Sequence, residues 1–129
     1  MPGLNRVQII GHLGADPQEK VTPKGTKLVI FSVAVNSYWK SGDGNTNKRT
    51  DWFNVEAWGR TGEICQKILK KGSLVYLEGQ LRTDRYEKEG EPKFFTKVVV
   101  QRIQKLDYSE KEKEEPEISA IADDISEEE

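Results

Sequence analysis

The sequence predicts an all-β domain carrying one helix: five strands closed into a small barrel, followed by a disordered acidic segment. Three observations predict it. Five runs show two-residue alternation or β-branched enrichment, the pattern of strands with one dry face. One short stripe of helical period interrupts them between the third and fourth runs. Charge also divides along the chain. Residues 1–106 hold 18 Lys/Arg against 11 Asp/Glu, a formal +7, whereas residues 107–129 hold 2 Lys against 11 Asp/Glu, a formal −9. The net −2 conceals both halves. Residues 1–106 are therefore expected to form the single folded domain, and residues 107–129 a solvated arm too poor in apolar side chains to order itself.

The elements follow in order. Leu4–Leu13 reads as the first strand, ending in the turn Gly11-His12-Leu13-Gly14. Lys27–Ser37 is the second, with Val29, Phe31, Val33 and Val35 alternating against Ile30, Ser32, Ala34 and Asn36. Between them, Asp16-Pro17 and Thr22-Pro23-Lys24-Gly25 are turn chemistry. Asp51–Trp58 is the third strand. Ile64, Cys65, Ile68 and Leu69 give the helical stripe, Lys67, Lys70 and Lys71 suit its C-terminal dipole, and Gly72 stops it. Ser73–Tyr86 is the fourth strand, with Val75, Leu77 and Leu81 on one face; Phe94–Ile103 is the fifth, centred on Val98-Val99-Val100. Two polar stretches, Trp39–Thr50 and Glu87–Lys93, read as loops, the first with no reason to be rigid. Three strands, a helix and two strands is the order of the OB-fold. So small a core would be supplemented naturally by association between chains.

The third strand points to function. Phe53, Val55 and Ala57 share one face, and Trp52, Asn54, Glu56 and Trp58 the other. Asn54 and Glu56 mark that second face as wet, so two tryptophans are predicted to face water, about 20 Å apart along the strand. Tyr86 shares the outward face of the fourth strand with Gln80 and Arg82, and Trp39 precedes Lys40 at a loop mouth. Lys48 and Arg49 follow in that loop, while Arg60, Lys71, Arg82 and Arg85 lie near the third strand's end, the helix end and the fourth strand. Open aromatic rings beside cations bind single-stranded nucleic acid by stacking and phosphate neutralisation, with little regard for base identity.

Other classes fit less well. His12 is the sole histidine and has no evident partner; no Cys/His metal spacing and no phosphate-cradling P-loop pattern occurs. Asp51 and Glu56 fall on opposite strand faces and cannot share a metal there. Neither an enzyme nor a metal or other cofactor is expected. A protein–protein scaffold anchored by tryptophans would leave the basic body unexplained. A related primosomal or RNA-binding OB module stays open, because stacking is blind to the 2′-hydroxyl. No apolar run approaches the roughly 20 residues that span a bilayer, and Met1–Asn5 has no signal-peptide character, so the expected compartment is the cytoplasm. The single Cys65 is expected to be a buried thiol.

Asn5-Arg6-Val7 leading to Gly11–Pro17, Thr50-Asp51-Trp52, Ala57-Trp58-Gly59-Arg60 and the long segment Leu69–Thr83 together resemble the bacterial-type single-stranded DNA-binding proteins. The resemblance implies that Trp39, Trp52, Trp58 and Tyr86 occupy the family's base-stacking positions, Trp58 where Phe is common and Tyr86 where Trp is common. It implies a homotetramer wrapped by DNA, nucleoid-associated and acting in replication, recombination and repair. Leu4, Arg6, Gln8 and Ile10 would then pair chains within a dimer, and Tyr76 and Glu78 would lie at the dimer–dimer contact. Phe53 matches a subunit-boundary position, whereas its alternation points inward; both readings stand at this stage. Asp84 departs from the family, which often has a cation there, and would repel phosphate locally. The acidic segment departs too. Asp123, Asp124 and Ile125 resemble the start of the peptide through which the family recruits replication and repair enzymes, but Ser126-Glu127-Glu128-Glu129 follow without its closing Pro-Phe. A −9 segment tethered beside a +7 body is also expected to compete with DNA at low salt.

Overall fold

Val29, Phe31 and Val33 on β3 (Lys27–Lys40), Val55 and Ala57 on β4 (Thr46–Trp58), Val75 and Leu77 on β5 (Leu74–Lys88), and Val98, Val100 and Ile103 on β6 (Glu91–Lys105) all turn inward and are buried. Ile9 and Leu13 of β1 (Val7–Leu13) complete this dry face. The computed structural model describes residues 2–107; Met1 and residues 108–129, with the tail candidates Asp123, Asp124 and Ile125, lie outside the described residues.

The sheet runs β1-β5-β6-β4-β3, and a further pairing of β1 with β3 closes it into the expected five-stranded OB-fold barrel. Closure is made at His12↔Ala34 and Leu13↔Val33. On the far side β4 and β6 meet in parallel at Val55↔Val98 and Glu56↔Val99. The helix α1 (Gly59–Ile68) follows Trp58 directly and packs against β3, β4 and β6. Cys65 and Leu69 are buried, and Ile64 and Ile68 pack on the core, as the helical stripe predicts.

Five sequence expectations need correction. A short strand, β2 (Gln18–Val21), lies along the edge of β3 next to β1, from Gln18↔Ile30 to Val21↔Lys27. All four of its residues are exposed, so it has no apolar alternation to betray it and is held by ladder hydrogen bonds. His12 is a paired strand residue rather than part of a turn. The first strand starts at Val7, and Asn5 reaches β5 with its side chain instead: its amide donates to the Leu81 carbonyl (2.8 Å) and accepts from the Leu81 N–H (2.9 Å). Leu81 has the parity of Val75 and Leu77 but is exposed, because it stands beyond the core.

The fifth correction is the largest: both supposed loops are hairpin arms. Pairing of β3 with β4 continues out to Lys40↔Thr46, and of β5 with β6 to Lys88↔Glu91. The first arm is closed by the turn at Ser41–Asn45, where the Asp43 carboxylate accepts hydrogen bonds from the Ser41 hydroxyl, the Asn45 backbone N–H and the Asn45 amide. Those bonds, the Ser41 one foremost, hold Asp43 below the usual carboxylate range. The second arm turns on Glu89 and Gly90, both at positive φ (55° and 81°), as a two-residue primed turn demands.

Burial pushes the Cys65 thiol from 9.0 up to about 12. Its stabilising contribution is complete below pH 9.0 and is lost as pH rises toward about 12, because the unfolded chain releases the proton first. A thiol-directed reagent at pH 8 is therefore expected to leave Cys65 unmodified in the native protein and to modify it after urea unfolding. Stoichiometric modification of the folded chain would contradict the burial.

Candidate nucleic-acid interface

Strand alternation on β4 turns Trp52, Asn54, Glu56 and Trp58 outward, and the two indoles are 59% and 38% exposed. Each ring is backed differently. Trp52 lies against the β1–β2 corner at Gly14, where an added Cβ would stand 2.5 Å from the ring atom Cζ3 and 3.0 Å from Ser32 Oγ. Only a glycine leaves the indole that seat.

Trp58 is held by its edge. Its Nε1–H donates to Glu56 Oε1 (3.0 Å), and the other carboxylate oxygen of Glu56 accepts from Lys97 Nζ (2.7 Å). Lys97 reaches Asp84 Oδ2 at 2.7 Å as well. The Lys97 and Glu56 side chains are 12% and 14% exposed, Asp84 58%. Burial alone would lower the Lys97 pKa, but hydrogen bonds to Asp84 and Glu56 outweigh it and hold the ammonium above the ordinary lysine value. Arg82 and Val99 share a depression with Trp58 and this trio. The Asp84 charge, which the sequence sets among cations, is thus spent on Lys97.

The other ring positions lie on the arms. Tyr86 is half-exposed on β5, opposite Lys93, with Gln80, Arg82 and Asp84 on its face. Trp39 is half-exposed on β3, but its register partner is Asn47, so alternation puts it on the reverse side of the arm from Trp52. Tyr38, paired with Lys48, has the parity of Trp52 and is more exposed than Trp39.

Among the sequence-selected cations, Arg82 lies beside Trp58, and Arg60 follows two residues later in the first turn of α1. Lys40 and Lys48 share the arm face of Trp52. Arg49 is on the reverse face, its Nε donating to Asp51 Oδ1 (3.0 Å), and Arg85 is on the reverse face of the second arm from Tyr86. Lys71 stands at the corner of β1, its backbone N–H bonded to Asp16 Oδ1 (2.8 Å). Sequence reasoning missed Tyr38, Phe94, Phe95 and Lys97. The signal for Phe95 was available, since it has the parity of Lys97 on the fifth strand.

On β1 and β5, Gln8 Nε2 donates to the Tyr76 hydroxyl (3.1 Å), which donates in turn to Glu78. That bond to Glu78 pushes the Tyr76 phenol above its usual value. Leu4, Arg6 and Ile10 are exposed, and Phe53 is half-buried against the core. Among the described residues, no group of three or more His, Cys, Asp or Glu is placed to hold a metal ion, and no helix is long and apolar enough to cross a membrane.

The model of the single-strand binding protein family matches residues 4–106. Among curated relatives, a "Single-stranded DNA-binding protein 1" of Chlorobaculum tepidum is 42% identical over 106 residues, covering 81% of this chain and 65% of the relative. A "Single-stranded DNA-binding protein" of Xylella fastidiosa is 39% identical over 105 residues, covering 81% and 64%. The chain thus spans somewhat less than two thirds of the length of these relatives. Among solved structures, the Plasmodium falciparum SSB in complex with ssDNA aligns with a TM-score of 0.75 at 28% identity, over 83% of this chain and 98% of that one. A single-stranded DNA-binding protein from Thermus aquaticus aligns with a TM-score of 0.71 at 31% identity, over 81% and 51%.

Glu56 joins an indole to a shielded lysine, so removing its carboxylate leaves the Trp58 N–H without its acceptor and Lys97 with one of its two carboxylates. Glu56→Ala is expected to cost about 1–3 kcal/mol of stability, and Glu56→Gln less, because its carbonyl can still accept the Trp58 N–H. Urea unfolding followed by tryptophan emission measures both; equal stability of Glu56→Ala and the parent would refute the linkage.

Proposed function

The chain belongs to the single-strand binding protein family, and on that footing we propose that it binds single-stranded DNA without regard to base sequence. Bases stack on open aromatic rings while neighbouring cations neutralise phosphates. The observation that carries this reading is the pair of exposed indoles, Trp52 and Trp58, on one face of β4. Each stacked base contributes roughly 1–3 kcal/mol and depends little on which base it is. Trp39 and Tyr86 extend the set along the two arms. Lys40, Lys48, Arg49, Arg60, Lys71, Arg82 and Arg85 are the proposed phosphate ligands, each neutralised phosphate adding a slope of about −0.7 to the log–log salt dependence.

On this reading the protein coats strands exposed during replication, recombination and repair in the bacterial cytoplasm, blocking re-annealing and nuclease attack. No reaction and no cofactor are needed for that. A homotetramer completes the proposal. In its support, Leu4 and Ile10 expose large apolar side chains, and β1 pairs with β3 only at His12 and Leu13, leaving Val7–Gly11 one open edge. Gln8, Tyr76 and Glu78 form the adjoining polar surface, with Arg6 beside it; Phe53 is a further boundary position in this reading. The acidic residues 107–129 act as a second, competing polyanion and as a contact for partner enzymes around Asp123, Asp124 and Ile125.

Trp52→Ala and Trp58→Ala are each expected to weaken oligo-dT binding by about 1–3 kcal/mol in a fluorescence titration, leaving the salt slope unchanged. Unaltered affinity in both would overturn the stacking reading. A chain cut to residues 1–106 is expected to bind more tightly than the full chain at low salt, with the difference vanishing at high salt. Identical low-salt affinities would remove the competition.

A further inference from the structure

Between Trp52 and Trp58 the outer face of β4 is not flat. A groove of about 460 Å³ opens there, lined among others by Lys20, Ile30, the cross-strand pair Ser32 and Asn54, Phe95 and Lys97. Its size falls in the range of pockets that enclose a small planar ligand. Phe95 is 43% exposed, faces Asp84 across the second arm, and stands where β5 and β6 leave the core.

We propose that this groove is a binding site for a single nucleobase, with Phe95 as a stacking platform in addition to the tryptophans. The inference rests on the reading of the β4 face as the DNA-binding face. Asn54 and Glu56 are the two residues between the indoles on that face, so a strand running from one ring to the other crosses the groove. The chemistry suits a base. Of the two lysines that line the groove, Lys97 has its ammonium committed to Glu56 and Asp84, and Lys20, on the exposed strand β2, is the one placed to meet the phosphate attached to that base. A base offers a π face to the Phe95 ring and a polar edge to the Asn54 amide and Ser32 hydroxyl.

The full chain, titrated with a labelled oligo-dT by fluorescence anisotropy, tests this. Phe95→Ala is expected to weaken binding by about five- to a hundredfold, the loss of one platform, with an unchanged salt slope because no charge is altered. Phe95→Leu is expected to lose nearly as much, and Phe95→Tyr to retain the parent affinity; an unaltered thermal midpoint in each excludes misfolding as the cause. Parent-like binding by Phe95→Ala while Trp52→Ala is weakened would overturn the nucleobase site and leave the DNA face standing. Full affinity in Phe95→Leu would reduce Phe95 to an apolar wall and overturn the stacking. Parent-like binding in both Phe95→Ala and Trp52→Ala would sink the DNA-face reading itself.

Discussion

A barrel closed by five strands has one dry side, and strict alternation around that dry side governs everything on the other. Val33, Val55, Leu77, Val98 and Ile103 are almost wholly shielded from water. Once Val55 and Ala57 point inward, β4 has no freedom over Trp52, Asn54, Glu56 and Trp58: a one-residue slip would bury the polar pair and expose the core. The open indoles are therefore a consequence of core packing rather than an independent arrangement. Rings held this way are preorganised, and a ligand that stacks on them need not order them first.

The same face carries an unexpected electrostatic structure. A basic body suggests cations ready for phosphate, yet Lys97 is almost enclosed and balanced by two carboxylates. A shielded charge of this kind is costly to leave unpaired, so the trio holds geometry more than it attracts a polyanion. Its output is the fixed edge of Trp58, reached through Glu56. In the proposed function, long-range attraction falls to more exposed cations such as Lys40 and Lys48 on the first arm.

The barrel was legible in the sequence wherever one face was dry. The inner sets on β3 and β4, the helical stripe that covers the core and the buried thiol of Cys65 follow from apolar spacing alone. The arms and β2 were not legible, for a single reason. Outside the core both faces of a ribbon meet water, so Lys48–Thr50 and Gln18–Lys20 carry polar side chains on either side, Tyr38 and Trp39 put an aromatic on each face, and the two-residue rhythm is lost. Reading Trp39 as a loop residue also hid its parity, which sets it behind Trp52 and brings Tyr38 forward. Phe95 was overlooked because a β-branched run beside it reads as core, although the ring itself stands past the core's edge.

Those arms also divide the molecule by how firmly its backbone is held. The barrel's amides open only if packed aliphatic side chains separate, whereas the outer reaches of both ribbons depend on the ladder and on short turns such as the one around Asp43. Two-stranded ribbons without a core are marginal by themselves. Solvent exchange should therefore grade from the tips inward, with the rings of Trp39 and Tyr86 riding on segments that breathe and those of Trp52 and Trp58 on a frame that does not. A long polymer laid across all four would meet two yielding contacts at the periphery and two firm ones at the centre, and could release its ends while its middle stayed engaged.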